Sequence, residues 1–323
     1  MSKFFSGLGF MELINDWEQQ EAGDRPRTVF SIGVFDGLHL GHRYLIDQVI
    51  KTAGRLKAQS LILTFEPHPL AILAPTAAPP VLTTLAQKAE VLRSWGLDRL
   101  GILRFSREMA ALPPKKFLFQ FLGKFIEPAG AILGPDFTFG QNAQGGAETI
   151  AEWLNQINPK AKVSIAEPQS GTDGLYSSSQ IRQDLKSGLV ENAAAALGRP
   201  YQLTGQVVHG QARGRLIGFP TVNLGHIRQL IPEPGVYVSR AAIDGESYGS
   251  MTSIGYNPTF GEQPMTVESN IFDFNRFVYG QEISLDFIGR LRAMIRFNSV
   301  DQLTAQLEKD RSAALKALMA NEE

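Results

Sequence analysis

Two histidines, His39 and His42, stand three apart in the stretch SIGVFDGLHLGH, residues 31–42. The chain has five histidines in 323 residues, so a pair placed where an apolar run stops invites a chemical reading. Three are open: a metal pair, a satisfied structural pair and a phosphate clamp. A zinc pair on a helix asks for i, i+4 spacing with a glutamate base, as in His-Glu-x-x-His, and that pattern is absent. A Walker loop ending in Gly-Lys-Ser/Thr is absent as well. Gly33, Gly37 and Gly41 let backbone approach a ligand closely, and a helix starting near His39 or Leu40 aims its free N–H groups at an anion. On the first turn of that helix the two imidazoles share a face and can both donate hydrogen bonds to phosphate oxygens.

The elements around the pair favour phosphate. TVFSIGVF (28–35), SLILTF (60–65), RLGILRF (99–105), AILG (131–134) and KVSIAE (162–167) read as strands, and segments of helical period lie between them, one with Leu45, Val49, Ala53 and Leu56 on a single face. This alternation predicts a doubly wound parallel sheet with helices on both faces. Ligands of such sheets bind outside the carboxyl ends of the strands. The polar clusters fall there: FDGLHLGH after the first strand, EPHP (66–69) after the second, GPDFTFG (134–140) after the fourth and YSSSQIR (176–182) after the fifth. Ser178, Ser179 and Arg182 repeat the pairing of a helix start with polar donors. The loop APTAAPPV (74–81) reads as an exposed excursion.

A second constellation lies in HGQARGRLIGFPTVNL, residues 209–224. Gly210, Gly214 and Gly218 punctuate a loop with Arg213 and Arg215, which suits backbone wrapping of phosphates. In an extended segment Thr221 and Asn223 point the same way, and a hydroxyl plus an amide oxygen suits part of a magnesium shell. Glu268, in TVESNIFDF, shares a face with Asn270 and Phe272. Taken alone, Glu268 reads as a solvated strand carboxylate and PTVN as an ordinary turn and strand.

A helix running from Ser178 or Ser179 through IRQDLKSGLVENAAAAL closes the first half, and the chain then changes character. About six strands with short turns follow, with Asp244-Gly245 as a hairpin signal, and predict an antiparallel barrel. Leu303, Leu307, Ala314 and Leu318 form the stripe of a C-terminal helix packed on it. The expected domains are 1–185 and 186–323.

Composition narrows the partners. With 43% hydrophobic residues, 20% charged and a formal net charge of -1, the chain exerts no global electrostatic pull on nucleic acid or anionic membrane. Cysteine is absent, which removes disulfides, thiolate metal sites and cysteine nucleophiles and fits a cytosolic home. The N-terminus shows no cleavage pattern, and no apolar run reaches the roughly twenty residues that span a bilayer.

GVFDGLHLGH resembles the His-x-Gly-His signature of the nucleotidyltransferase superfamily. With LTFEPHP, GPDFTFG and SSSQIR, the first half resembles the adenylyltransferase module of bacterial bifunctional riboflavin kinase/FAD synthetases. GRLIGFPTVNL, GVYVSR, SIGYNPTF, TVES and VYGQEISLDFIGRLR resemble the riboflavin kinase module, over roughly residues 185–312. The chain departs from the family pattern mildly, at Ser179, Gln180 and Val222. The resemblance implies that His39 and His42 contact ATP phosphates and stabilise charge at the attacked α-phosphate, in a site shaped by Gly33, Phe35 and Gly37. Ser178, Ser179 and Arg182 would hold the other phosphates, and Glu66, Pro67, His68 and Asp136 would lie near FMN or a metal. In the kinase module it implies that Thr221 and Asn223 bind the metal, Glu268 is the base for the ribityl 5′-hydroxyl, and Gly214, Arg215, Gly218 and Pro220 shape the ATP loop. The implied activities are phosphorylation of riboflavin to FMN in the C-terminal domain and adenylylation of FMN to FAD, with release of pyrophosphate, in the N-terminal domain. Both use ATP and Mg2+. Riboflavin, FMN, FAD and ATP are then the ligands, in the cytoplasm, with no nucleic acid or membrane partner; a homo-oligomer is left open.

Three other readings are weighed against this one. The nearest keeps the kinase and makes the N-terminal half a nucleotidyltransferase with another acceptor, or an inactive one; against inactivity, His39, His42, Ser178 and Arg182 are all present. An aminoacyl-tRNA synthetase would need a second, lysine-bearing signature and a tRNA-binding appendix, neither of which is found. A flavin-binding regulatory module without catalysis would fit the loss of Glu268 or of the PTVN pair, and both are present.

Overall fold

A computed structural model describes residues 11–19, 24–171, 174–210, 213–256 and 265–320. It divides into two compact units at Tyr176 and Ser177, with Pro80–Leu82 belonging to the second.

The first unit holds a six-stranded sheet, all of whose pairs are parallel. Its strands are β1 (Glu12–Ile14), β2 (Arg27–Ile32), β3 (Gln59–Glu66), β4 (Arg99–Arg104), β5 (Glu127–Leu133) and β6 (Lys162–Ile165), in the order β1-β4-β3-β2-β5-β6. Five of them are the expected strands. The sixth, β1, is an edge strand three residues long, too short to show a period in the sequence. Successive side chains serve opposite faces. Val29 and Ile62 pack with Leu45, Ile46 and Val49 of the Leu40–Leu56 helix, whereas Phe30 and Leu61 pack with Phe117 and Trp153 on the other side. The chain leaves β2 towards β3 and β4 in one direction and places β5 and β6 in the other. The carboxyl ends of β2 and β5 therefore flank the switch point where such sheets bind ligands. Near the end of the unit a small antiparallel pair joins β7 (Ser170–Gly171) and β8 (Gly174–Leu175).

The second unit is a closed antiparallel barrel of β9 (Tyr201–Val208), β10 (Val222–Gly225), β11 (Gly235–Ile243), β12 (Glu246–Gly255), β13 (Thr266–Ile271) and β14 (Glu282–Arg292), in the order β10-β13-β12-β11-β14-β9. Asp244 and Gly245 turn β11 into β12 with φ of 53° and 82°, the double left-handed turn that matches strand twist. Val267 and Ile271 join the buried barrel core, so alternation puts Glu268, Asn270 and Phe272 on the opposite face. There Phe272 packs with Val236, Val238 and Met251 against Ala314 and Leu318 of the terminal helix, Val300–Ala320. Each fully buried side chain of this kind contributes about 1.5–3 kcal/mol.

One local expectation is corrected. The single helix expected from Ser178 onward is two, Ser178–Lys186 and Val190–Leu197. Gly188 takes a φ of +75°, and the Leu189 N–H returns to the Asp184 carbonyl at 2.8 Å, which ends the first helix. Both helices bury Ile181, Leu185, Val190 and Ala193 in one core with Leu203 and Leu285, so they pack with the barrel rather than close the sheet. The loop 74–81 is exposed at Pro75–Ala77 and Pro80 with none of its residues buried, as expected, and the chain re-enters the fold at its end, where Val81 bridges to Gln229 and Leu82 is buried in the barrel core. Among the described residues no helix is long and apolar enough to cross a membrane.

Candidate active sites

The loop leaving β2 bends sharply before the Leu40–Leu56 helix. Phe35, Gly37 and Leu38 all have left-handed φ, 49°, 81° and 47°, and such residues persist only where their surroundings over-determine them. Here Thr83 supplies the restraint: its N–H and hydroxyl donate to the Asp36 carboxylate at 3.2 and 3.3 Å, and its hydroxyl accepts from the Gly37 N–H at 3.1 Å. His39 then caps the helix, its Nδ1 accepting from the His42 N–H at 3.3 Å. A Cβ on Gly41 would lie 3.1 Å from the His39 ring, so glycine leaves the imidazole its place.

The histidines are therefore a cap and a first-turn residue rather than two equivalent donors. Their rings stack at 3.7 Å with an interplanar angle of 20°, and Phe35 meets His42 edge-on at 5.3 Å. Because Nδ1 of His39 is an acceptor, a neutral His39 carries its proton on Nε2. Nδ1 of His42 is sealed from solvent without a partner. Burial, then the His39 ring, then the Lys88 ammonium hold the proton affinity of His42 well below the usual histidine range. A polyanion at this helix start would reverse the sign of that field.

The other expected residues of the first unit sit at neighbouring strand ends. Glu66 ends β3 and is exposed, Pro67 follows it through a cis bond, and His68 caps the short Pro69–Leu73 helix by accepting from the Leu70 N–H at 3.1 Å. Asp136 is exposed in the turn after β5. In the second unit the cap of the Ser178–Lys186 helix is Ser177, whose hydroxyl accepts from the Gln180 N–H at 3.1 Å, so Ser178 and Ser179 are its first helical residues. Arg182 is buried, with Nε donating to the Pro80 carbonyl at 2.8 Å.

The barrel site is built across two paired strands. Asn223 on β10 lies directly opposite Glu268 on β13, and the Thr221 hydroxyl donates to the Glu268 carboxylate over 3.4 Å. Thr221 and Asn223 line one cleft together with Arg215, Pro220 and Tyr279, as the extended spacing anticipated. Gly210 packs on the Asn223 amide so closely that a Cβ would fall 2.2 Å from its Nδ2, and Gly214 would likewise meet the Phe219 carbonyl at 2.2 Å. Beside this cleft a cavity of about 880 Å³ takes in Thr221, Glu268, Asn270, Phe219, Arg292 and Leu303. Leu303 and Leu307 both line the cavity, and Leu307, Ala314 and Leu318 pack towards the barrel. Residues 211–212, and 257–260 of SIGYNPTF, lie outside the described residues.

Several residues escaped the sequence reading. Lys88, on the Leu85–Ser94 helix, is buried among the apolar positions Leu85, Ala89 and Leu92; a charge on that stripe was the available signal. Tyr279 stacks on His209 at 4.2 Å, and Asp310 fixes Arg292 by a forked pair at 2.9 and 2.7 Å; neither pairing leaves a mark in sequence spacing.

A parallel sheet with a phosphate-ready helix start at its switch point, and a barrel with a carboxylate beside oxygen donors, define a nucleotide-using transferase of two units. Known proteins agree. A family model described as FAD synthetase matches residues 21–180, and one described as Riboflavin kinase matches residues 197–318. The bifunctional riboflavin kinase/FMN adenylyltransferase of Bacillus subtilis (strain 168) is 36% identical, over 91% of this chain and 93% of its own. That of Escherichia coli (strain K12) is 32% identical, over 94% and 97%. A crystal structure named as a macrolide-efflux protein from Streptococcus pneumoniae superposes with a TM-score of 0.83 at 32% identity, covering 94% of this chain and 99% of that one. The chain belongs to the family of bifunctional riboflavin kinase/FMN adenylyltransferases.

Proposed function

We propose that the two units divide the family's two activities: the barrel phosphorylates riboflavin to FMN with ATP, and the parallel-sheet unit adenylylates FMN to FAD, releasing pyrophosphate. The observation that carries the division is the barrel's carboxylate. Glu268 lies opposite Asn223 and 3.4 Å from the Thr221 hydroxyl, on the wall of a cavity large enough for a flavin. The ribityl 5′-hydroxyl is a poor nucleophile until its proton is taken, and Glu268 accepts that proton as the oxygen attacks the terminal phosphate of ATP. Arg215 and the glycines Gly214 and Gly218, with Pro220, shape the loop that receives the phosphates.

The sheet unit needs no such base, because the attacking oxygen of FMN belongs to a phosphate already ionised at neutral pH. Its chemistry is positioning and charge stabilisation. His39 donates from Nε2, and the stacked His42 and the N–H groups of the helix start complete the cradle at the α-phosphate. Gly33, Phe35 and Gly37 shape that loop; Glu66, Pro67, His68 and Asp136 take the FMN side, and Ser178, Ser179 and Arg182 take the remaining phosphates, a role resting on their sequence pattern.

Thr221 and Asn223 offer the hard oxygen donors that Mg2+ prefers, and their common cleft beside Glu268 fits that ion. Bound with ATP, Mg2+ supplies neutralisation of phosphate charge. We place the enzyme in the cytoplasm, where ATP is available.

The test is chromatographic product analysis after incubating the purified protein with riboflavin, ATP and magnesium. FMN appears first and FAD follows. A protein that stops at FMN when FMN and ATP are abundant leaves the sheet unit with another acceptor or none; one that makes neither product defeats the whole reading.

A further inference from the structure

We infer that Lys88 is a positioning residue for adenylyl transfer: its buried ammonium ties the Val34 carbonyl to the Thr64 hydroxyl and so sets the loop that runs on into His39 and His42. The inference rests on the reading that these histidines receive the ATP phosphates.

Lys88 is 5% exposed, unusual for a lysine, whose desolvation is costly unless the charge has work to do. Nζ donates to the Val34 carbonyl at 2.7 Å and to the Thr64 hydroxyl at 3.1 Å. The Thr64 hydroxyl in turn donates to the same Val34 carbonyl at 2.9 Å, which closes a three-membered ring of hydrogen bonds. Val34 begins the left-handed loop after β2, and Thr64 lies near the carboxyl end of β3, its neighbour in the sheet. The ring thus joins two strand ends at the rim where the ligand is expected. It works alongside Thr83, which holds Asp36 and Gly37 from the segment just before the same helix.

The charge has a second consequence. The groups that face Lys88 are the carboxylates of Asp36 in the loop and Glu66 at the end of β3, and the imidazole of His42 on the helix. Burial outweighs the two carboxylates and lowers the ammonium to about 8, so Lys88 is cationic at neutral pH. A cation held in low dielectric beside a helix start adds to the field that a transferring phosphoryl group meets.

The experiment compares wild type with Lys88→Met and Lys88→Arg, reading kcat and KM for ATP in FAD formation, riboflavin phosphorylation by the same chain, and the pH dependence of wild-type adenylylation. Loosening the loop by a fraction of an ångström is expected to lower kcat for FAD formation in Lys88→Met by about 10²-fold with a much smaller change in KM. Arginine, which keeps the charge and two donors, recovers part of the loss, and riboflavin phosphorylation is unchanged. In wild type, kcat/KM for ATP in FAD formation, which reports the free enzyme, falls as pH rises through about 8, because deprotonated Lys88 no longer carries its charge. The wild-type limb needs no variant and stands even if Lys88→Met does not fold. A Lys88→Met enzyme with wild-type kcat, or a wild-type kcat/KM for ATP that is level across pH 8, overturns the inference. Absence of FAD formation in wild type instead overturns the reading beneath it, so the two failures are distinguishable.

Discussion

The barrel and the sheet use the same nucleotide with opposite inventories. The barrel sets one carboxylate, Glu268, against the hydroxyl of Thr221 and the amide of Asn223 across a strand pair. The sheet sets two stacked imidazoles and a buried ammonium at a helix start. The difference follows from the attacking atom. A sugar hydroxyl must lose a proton near neutral pH and requires an acceptor, whereas a phosphate oxygen arrives ionised and requires only that its charge, and the charge it displaces, be tolerated. On the proposed assignment, acid–base demand, rather than the shared ATP, decides which side chains stand at each site.

The largest effect expected from breaking this comparison is at the proposed base. Glu268→Gln keeps the size and polarity of the side chain and removes its proton affinity, so riboflavin phosphorylation falls by about 10²–10⁴-fold while supplied FMN is still converted to FAD. Chromatography of the two reactions run separately reads the contrast. A Glu268→Gln enzyme with a near-normal kinase rate would show the carboxylate to be scenery. Next in size is His42→Ala, which removes one donor and the stacking partner of His39. FAD formation should fall by about 10²-fold, FMN should accumulate, and the kinase rate should hold. If both activities fell together, the two sites would not be separable in the way proposed.

A third change sharpens the barrel half. Arg292 lines the large cavity, and Asp310 holds it through Nε and Nη2 from the buried side of the terminal helix. Asp310→Asn leaves a mostly buried guanidinium without its counter-charge, at a cost of about 3 kcal/mol. Riboflavin KM should rise several-fold, with the rate of FAD formation from supplied FMN unaltered. Steady-state kinetics and a thermal melt of the barrel check both parts; an unchanged KM would mean that Arg292 is only a structural fastener.

How much of this was legible beforehand depended on the range of the interaction. Strands β2 to β6, the barrel and the Asp244-Gly245 turn are local patterns of apolar period and turn chemistry, and they stand where the sequence put them. The pairing of Thr221 with Asn223 on one cleft is likewise local, a matter of alternation along one strand. The break at Gly188 was missed because an apolar helical period runs through it, and one glycine conformation outweighs the pattern. Lys88, Asp310 and the anchoring of Leu82 were missed for another reason. Their partners lie 54, 18 and about a hundred or more residues away; the local window shows Lys88 as a charge on an apolar stripe, but it does not show which distant group that charge, or Asp310, or Leu82, will meet.

The smallest effect is a pH dependence, and it bears directly on the proposal that histidines rather than a carboxylate serve the sheet site. Burial, the adjoining His39 ring and the Lys88 ammonium keep His42 neutral in the folded protein well below the pH at which a free histidine would be. Below the ordinary histidine pKa the unfolded chain therefore takes up a proton that the folded unit refuses, and stability falls as pH drops from that pKa towards the folded value. A loss of about 1 kcal/mol between pH 7 and 5.5 is expected from this group, and His42→Asn should remove it. ATP adds the missing counter-charge, so its protection of the sheet unit in thermal unfolding should be larger at pH 5.5 than at pH 7.5 in wild type and equal at the two in His42→Asn. Were wild type and His42→Asn to respond alike, the imidazole would not be the group that meets the phosphates, and the contrast between a base-driven barrel and a charge-driven sheet would have to rest on Lys88 and the helix start alone.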